Sequence, residues 1–441
     1  MELNRSLKPR HLTMISIGGV IGAGFFLGAG SAISQTGTSV VLAYLIGGII
    51  TLFVMMLLAE MAVANPVSGS FQVYAKAAFG PYFGFITGWT YWFAFLIGPA
   101  SEAIAAGTFL NIWFPEIPIW MFCLIVASSL TIINMIGVHF FGEVEFWLSL
   151  VKVVALLSFI IIALYALGYK DNVSLSNFSN SNSNFFAYGL YGFIGSMLMV
   201  VFSFGGTEAI GTAAGESENP EKDIPKTIKG TMFRIIFLYV ISITLLLCVL
   251  PWEKAGVSSS PYVDAFGILG GPFAKNIMNF VVLTAALSCI DTGVYATSRM
   301  LYSLSNDGYF PKWFSKINQR HRTPNNAIFC SSLILFLGAV LAIFSPRAYT
   351  ILASISGFGF IFTWLMIALS QKKLRAKHGN SNSLKYKAPF AGIIQPITVI
   401  SLLFILFGQA FVPGGWISLV AGFGWILLSS IYYFVHKSKV K

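Results

Sequence analysis

Four ionisable side chains fall inside otherwise apolar stretches: Glu102, Lys152, Glu208 and Asp291. A charge at the centre of a membrane-inserted helix costs at least about 2.5–3.5 kcal/mol, so such groups are functional candidates that exchange protons, pair with one another or meet a polar solute. Glycine supplies the second signal. Six glycines fall within thirteen positions of the first apolar segment, Gly18-Gly19-Val20-Ile21-Gly22-Ala23-Gly24-Phe25-Phe26-Leu27-Gly28-Ala29-Gly30. Each costs about 1 kcal/mol relative to alanine in a helix interior, and the density predicts a helix that stops and restarts. Hydrocarbon forbids the freed backbone groups, whereas a solute cavity tolerates them. Gly18 with Gly22, and Gly24 with Gly28, also have the spacing that lets membrane helices touch, so this stretch alone leaves both readings open. The balance moves at Phe202-Ser203-Phe204-Gly205-Gly206-Thr207-Glu208, a second interrupted apolar span. Two interrupted segments at corresponding places in two halves of a chain point to a binding site near the bilayer midplane. A restarting half-helix there offers unpaired N–H groups and a positive dipole end, which suits an anion.

The elements that must carry these residues follow from bulk composition. Of 441 residues, 56% are hydrophobic and only 10% charged, with a mean hydropathy of +0.78. A soluble fold cannot cover so much apolar surface, which predicts an all-α polytopic membrane protein. Runs of about 20 apolar residues are needed to cross the hydrocarbon core. Twelve are found, at roughly 12–34, 38–63, 82–110, 118–137, 144–168, 187–213, 232–251, 274–303, 326–345, 349–370, 391–411 and 415–436. With a cytoplasmic N-terminus, 21 of the 27 Lys and Arg fall in inside segments, against Lys170, Lys254, Lys275 and Arg347 outside. The positive-inside rule then places both termini in the cytoplasm. The net charge of +11 is thereby read as topology and not as nucleic-acid binding.

The breaks fall in spans one and six, five spans apart. Five is odd, so the second set enters the membrane upside down, giving a 5+5 inverted repeat with the breaks meeting. The expected single transporter domain comprises repeat one at about 10–170, repeat two at about 185–371 and two peripheral helices at about 390–436. Cys123, Cys248, Cys289 and Cys330 lack ligand spacing and are read as small packing residues. No signal peptide, Walker A, nucleophile-elbow or zinc-protease sequence is present, so neither cofactor nor metal is expected and covalent catalysis is not. Glu60 and Arg299 lie near span ends, where snorkelling or capping is expected. The stretch 174–184 reads as a low-complexity polar linker, and 216–226 as a solvated connector in preference to a gate.

At this point the chain resembles the amino acid permeases of the amino acid-polyamine-organocation superfamily, in the branch that includes γ-aminobutyrate and aromatic amino acid permeases. The residues behind the resemblance are the run from Arg10 to Gly24, Ala59-Glu60-Met61-Ala62-Val63-Ala64, Gly142-Glu143-Val144-Glu145-Phe146-Trp147, Ser203-Phe204-Gly205-Gly206-Thr207-Glu208 and Ser298-Arg299-Met300-Leu301-Tyr302-Ser303-Leu304. They run from the first span through the eighth in family order. The resemblance implies that a substrate carboxylate is held by the backbone N–H groups of Gly22, Ala23 and Gly24. It places the substrate ammonium against the carbonyls of Val20, Phe202, Ser203 and Gly205, with Phe202 as an aromatic lid. Glu102 and Glu208 match acids of this branch, and either reads the substrate or fixes helix packing. Side-chain selectivity is assigned to the shape left by Ile21, Phe25, Glu102, Phe204 and Thr207.

Lys152 lies eight residues into span five, about 12 Å deep, and a lysine withdrawn from water trades its proton more readily. In proton-coupled relatives a lysine on this span stands where sodium-coupled members hold a cation. Asp291 departs from the family, which more often carries Asn-Ser where this chain has Asp291-Thr292. Lying about 18 Å up span eight, it is expected to pair with Lys152 and share the coupling proton. The expected function is import of an amino acid across the cytoplasmic membrane by proton symport, with the substrate, H+ and the lipid bilayer as partners. An amino acid exchanger is the nearest alternative and a channel a more distant one.

Overall fold

The computed structural model describes residues 8–67, 69–170, 173–179, 185–258, 260–344, 348–377, 384–412 and 414–436. Among them there is no strand. The helices are α1 (Pro9–Val20), α2 (Ala23–Phe26), α3 (Gly28–Thr36), α4 (Val40–Ala64), α5 (Ser70–Phe79), α6 (Pro81–Trp113), α7 (Ile119–Ile136), α8 (Val138–Tyr169) and α9 (Leu175–Ser179). They continue with α10 (Gly189–Phe204), α11 (Ala209–Ala213), α12 (Pro220–Val249), α13 (Trp252–Ala255), α14 (Pro261–Asn306), α15 (Asn325–Phe344), α16 (Ala348–Lys377), α17 (Ala391–Gly408) and α18 (Trp416–His436). Ten helical stretches among the described residues are long and apolar enough to cross a bilayer. Each of the twelve expected spans falls on helix: spans one and two share the stretch Gly24–Ala64, and span nine falls on α15.

Both glycine-rich segments lose their winding. The first stops at Val20 and restarts at Ala23; the second stops at Phe204 and resumes at Ala209. Leu27, between α2 and α3, keeps right-handed helical angles (φ −92°, ψ −45°), so the chain stays wound from Ala23 to Thr36 apart from one tightened turn. The two broken helices lie side by side and antiparallel, α1 against α11 and α3 against α10. Gly206 makes this approach possible: at φ +103° it has a backbone that side chains rarely adopt, and a Cβ there would stand 2.2 Å from the Gly19 carbonyl oxygen.

Around this pair, α6 packs on α14 and α16, α4 on α12, and α8 on both α1 and α14. The last two helices lie outside: α17 contacts α4, α10 and α16, and α18 contacts α6 and α16. On α18, Val420, Leu427, Leu428 and Val435 are exposed, as suits an apolar face turned to lipid. Span eight, expected at 274–303, lies on the part of α14 that follows Gly271, whose φ of +73° just before Pro272 breaks the winding and sets that part off from the turns beginning at Pro261. One expectation needs correction. The stretch 174–184 is not a featureless linker: Leu175–Ser179 form α9, docked where the Ser174 N–H and the Asn177 amide donate to the Cys248 carbonyl. Residues 180–184 lie outside the described residues, as does Arg347.

Candidate functional site

The breaks enclose a cavity of about 30 Å³ lined by Gly19, Val20 and Gly24 of the first, Phe202 and Gly205 of the second, and Phe95, Gly98, Pro99, Glu102, Cys289 and Phe360 around them. That is room for one or two water molecules. A wider cleft of about 570 Å³, bordered by Gln35, Tyr188, Thr350 and Gln409, reaches Met199, one helical turn from Phe202.

At the first break, the Gly22 N–H closes a tight turn onto the Val20 carbonyl (3.0 Å), and the Gly22 carbonyl accepts from Phe25 (3.0 Å) and Phe26 (3.2 Å) to start α2. The Gly24 N–H, at the head of the restarting helix, donates to Glu102 Oε1 at 2.8 Å. Glu102 comes from the middle of α6, beside the bend-prone Pro99, and is 4% exposed. A side-chain carboxylate therefore already occupies one of the amides that the resemblance assigns to a substrate carboxylate. The glycines let it come close: a Cβ on Gly22 would stand 2.2 Å from Cys289 Sγ and 3.3 Å from Glu102 Oε1.

At the second break, Gly205 N–H bonds back to Val201 (2.9 Å) and Phe202 (3.0 Å), which uses the Phe202 carbonyl. Ser203 Oγ bridges the two broken helices by donating to the Gly24 carbonyl at 2.6 Å. Phe202 lies over Gly24, where a Cβ would meet its ring at 2.9 Å. Phe204 is fully buried against Tyr44 and Tyr239, and Thr207 Oγ1 donates to the Phe204 carbonyl at 3.1 Å; neither lines the cavity. Glu208 also turns away from it, accepting from the Gly206 N–H (3.2 Å) and from Trp364 Nε1 (3.0 Å), so it holds the break's own backbone.

Lys152 is fully buried, and its Nζ donates to the Gly18 carbonyl (2.7 Å) and to Ser288 Oγ (2.8 Å). The expected ion pair with Asp291 is not formed here: Asp291 Oδ1 accepts from Asn134 Nδ2 at 2.6 Å. The reason is register. Ser288 faces Lys152, while Asp291 sits nearly one turn further along α14 and meets α7.

Three groups at the site escape the sequence reading. Glu145 accepts from Ser149 Oγ (2.9 Å) and from Ser288 Oγ; it lies seven residues before Lys152 on the same face of α8, a legible spacing hidden by starting span five at 144. The Tyr239 hydroxyl meets the Val20 carbonyl (3.0 Å) and the Ser203 carbonyl (3.3 Å), and its ring stacks on Phe25 at 3.6 Å. Cys289, read as inert packing, donates to the Gly18 and Gly19 carbonyls, each at 3.3 Å.

Glu60 and Arg299 neither snorkel nor cap. Both are buried and paired across long sequence separations, Glu60 with Arg375 (2.6 Å) and Gln371 (2.9 Å), Arg299 with Glu216 (2.9 Å) and over the Tyr295 ring at 4.0 Å. Glu216 is 1% exposed, so the start of the presumed solvated connector is core, and solvated chain begins only near Glu218.

The family model described as amino acid permease matches residues 11–441. The γ-aminobutyric acid permease of Bacillus subtilis (strain 168) is 40% identical over 416 residues, covering 93% of this chain and 88% of the relative. Amino-acid permease RocE of the same organism is 40% identical over 451 residues, covering 98% and 95%, and its putative histidine permease is 38% identical over 453 residues, covering 100% and 95%. The resemblance drawn from the motifs thus extends along the whole chain, which belongs to the amino acid permease family, multi-pass membrane proteins that carry amino acids across the membrane.

Proposed function

We propose that this chain is a secondary active importer of a zwitterionic amino acid across the cytoplasmic membrane, driven by symport of protons. The observation that carries the reading is the carboxylate of Glu102 seated on the Gly24 amide between two broken helices. An amide that holds a side-chain carboxylate in a buried, low-dielectric setting can hold a substrate carboxylate in its place. On this reading Gly22, Ala23 and Gly24 take the substrate carboxylate, while Val20, Ser203 and Gly205 present carbonyls to the ammonium and Phe202 covers it. The Val20 and Ser203 carbonyls now accept from Tyr239, so the tyrosine shares or yields them when the ammonium arrives.

Entry requires the cavity to open beyond about 30 Å³, since ligand sites typically measure about 300–1,000 Å³. Phe202 and Phe360, which press on Gly24 and Gly205, are the side chains that must move. The cleft at Met199 gives the approach. Alternating access then follows from rocking of one bundle against the other, with repeat one at about 10–170, an inverted repeat two at about 185–371 and helices 390–436 outside. The antiparallel pairing of the broken helices supports that division. Both termini are assigned to the cytoplasm on the positive-inside bias.

Relatives named for γ-aminobutyrate and for histidine share the two charged ends of a zwitterion and differ in what separates or decorates them. We therefore assign the charged ends to the breaks and leave the side chain to competition. Purified protein in liposomes, offered each labelled amino acid with and without an inward proton gradient, tests the reading. Saturable uptake concentrated by the gradient is expected. Uptake that ignores the gradient and needs internal amino acid would make the protein an exchanger, and no uptake of any amino acid would remove the substrate assignment.

A further inference from the structure

On one flank of the first break, α7, α8 and α14 bring together Asn134, Glu145, Ser149, Lys152, Ser288, Asp291 and Thr292, each at most 2% exposed. An ammonium can only donate, so Ser288 Oγ accepts from Lys152, and its own single proton is left for Glu145 Oε1. The wire therefore has a direction, Lys152 to Ser288 to Glu145. Asp291 follows Ser288 by three residues on α14, nearly one turn, with one oxygen taken by Asn134.

The remaining oxygens are unusual. Among the described residues, Glu145 Oε2, Asp291 Oδ2, Thr292 Oγ1 and Asn134 Oδ1 are buried without a hydrogen-bond partner. All four accept and only the threonine also donates. Leaving such atoms bare is costly, and two carboxylates with one ammonium leave the cluster one negative charge in excess. A single proton cancels the charge and gives one of the carboxyl oxygens a hydrogen to donate. The other charged or titratable groups facing the cluster are Cys289 and Glu102 toward Lys152, and Arg299 toward Asp291. Arg299 is already committed to Glu216.

We propose that the coupling proton is held by the Glu145 and Asp291 carboxyl pair and reaches Lys152 through Ser288, in place of a direct Lys152–Asp291 pair. This assignment rests on the proton-symport reading above. When Lys152 is neutral, the Glu145 O–H bond breaks as a new O–H forms on Ser288; the old Ser288 O–H breaks as an N–H forms on Lys152. One proton moves and no electrons change hands. The Lys152 ammonium then grips the Gly18 carbonyl, two residues before α1 unwinds. Proton position and the state of the first break are tied by that bond.

The test uses full-length protein in liposomes that enclose a pH dye, with the amino acid taken up best in the competition series. Proton entry per substrate and the ratio of gradient-driven uptake to substrate counterflow are measured together. The wild type should carry protons with substrate. In Glu145→Gln and Asp291→Asn, the ratio should fall at least tenfold. Ser288→Ala should behave likewise and Ser288→Thr, which keeps the hydroxyl, should restore it. An unchanged ratio in Glu145→Gln overturns the assignment. Should that variant fail to fold, equal ratios in Ser288→Ala and Ser288→Thr overturn it instead. Uptake that needs Na+ at matched pH, with the need lost in Asp291→Asn, gives these oxygens to sodium and also overturns it. A wild type with counterflow but no coupled proton entry sinks the symport reading itself, a distinct result.

Discussion

Replacing Glu102 by glutamine keeps the size of the side chain and an oxygen that can accept from Gly24, while removing the negative charge. The bond at stake is short, 2.8 Å, and buried. A hydrogen bond to a charged group contributes about 1.5–3 kcal/mol and one between neutral groups about 0.5–1.5 kcal/mol. The loss is thus about 1–1.5 kcal/mol, or about five- to twelvefold in an equilibrium constant. If Glu102 competes with the substrate for the amide, weakening its hold strengthens the substrate's by that factor. Glu102→Gln should therefore lower KM for the transported amino acid about five- to twelvefold. The corresponding amino alcohol, which has no carboxylate to place on the amide, should show no gain as a competitor. Initial-rate uptake in liposomes with both compounds measures this. A KM that is unchanged or raised, or an equal gain for the amino alcohol, would refute the competition argument and move Glu102 to the ammonium side of the site.

Gly206→Ala should weaken the whole site: the strained backbone adds about 1–3 kcal/mol and the clash with the Gly19 carbonyl about 1–3 kcal/mol more, seen as a lower melting temperature in detergent and lost substrate binding. Gly18 and Gly230 should respond with opposite signs. Alanine favours a helix by about 1 kcal/mol, and at Gly230, whose nearest neighbour would be 3.9 Å away, Gly230→Ala should raise the melting temperature. At Gly18 a Cβ would stand 1.4 Å from Glu145 Oε1, so two bonds to a carboxylate, about 1.5–3 kcal/mol each, are at risk and Gly18→Ala should lower it. Arg299→Met leaves Glu216 buried and unpaired, at a cost of about 3–5 kcal/mol; adding Glu216→Met should recover most of it, and a double variant as unstable as the single one would speak against an ion-pair origin.

Much of the site was legible because membrane helices obey local rules. The glycine-rich stretch 18–30 and the Gly205-Gly206 pair together marked the two segments that break, between Val20 and Ala23 and between Phe204 and Ala209, since no setting at membrane depth other than a cavity or protein interior accepts the bare backbone. The buried ionisable groups were legible for the same reason, being expensive wherever apolar length demands a span. What each one faces was not legible. Chain length placed Lys152 about 12 Å and Asp291 about 18 Å into their spans, yet pairing depends on helix rotation, and the register of α14 gives Lys152 the Ser288 hydroxyl and gives Asp291 to Asn134. Glu145 was given no role because it stands at the very start of its expected span, where a boundary uncertain by about a turn does not separate interface from core; the structure buries it fully.

The amino-acid sequence by itself determined that this chain is a bundle of membrane helices with two of them interrupted, because hydrophobic length and backbone satisfaction are properties of each segment alone. Only the tertiary structure decided that Glu102 occupies the first break, that Tyr239 and Cys289 cover its carbonyls, and that Arg299 is locked to Glu216. Those contacts join residues 36–271 positions apart, and the packing of helix on helix that brings them together is set by the whole bundle at once.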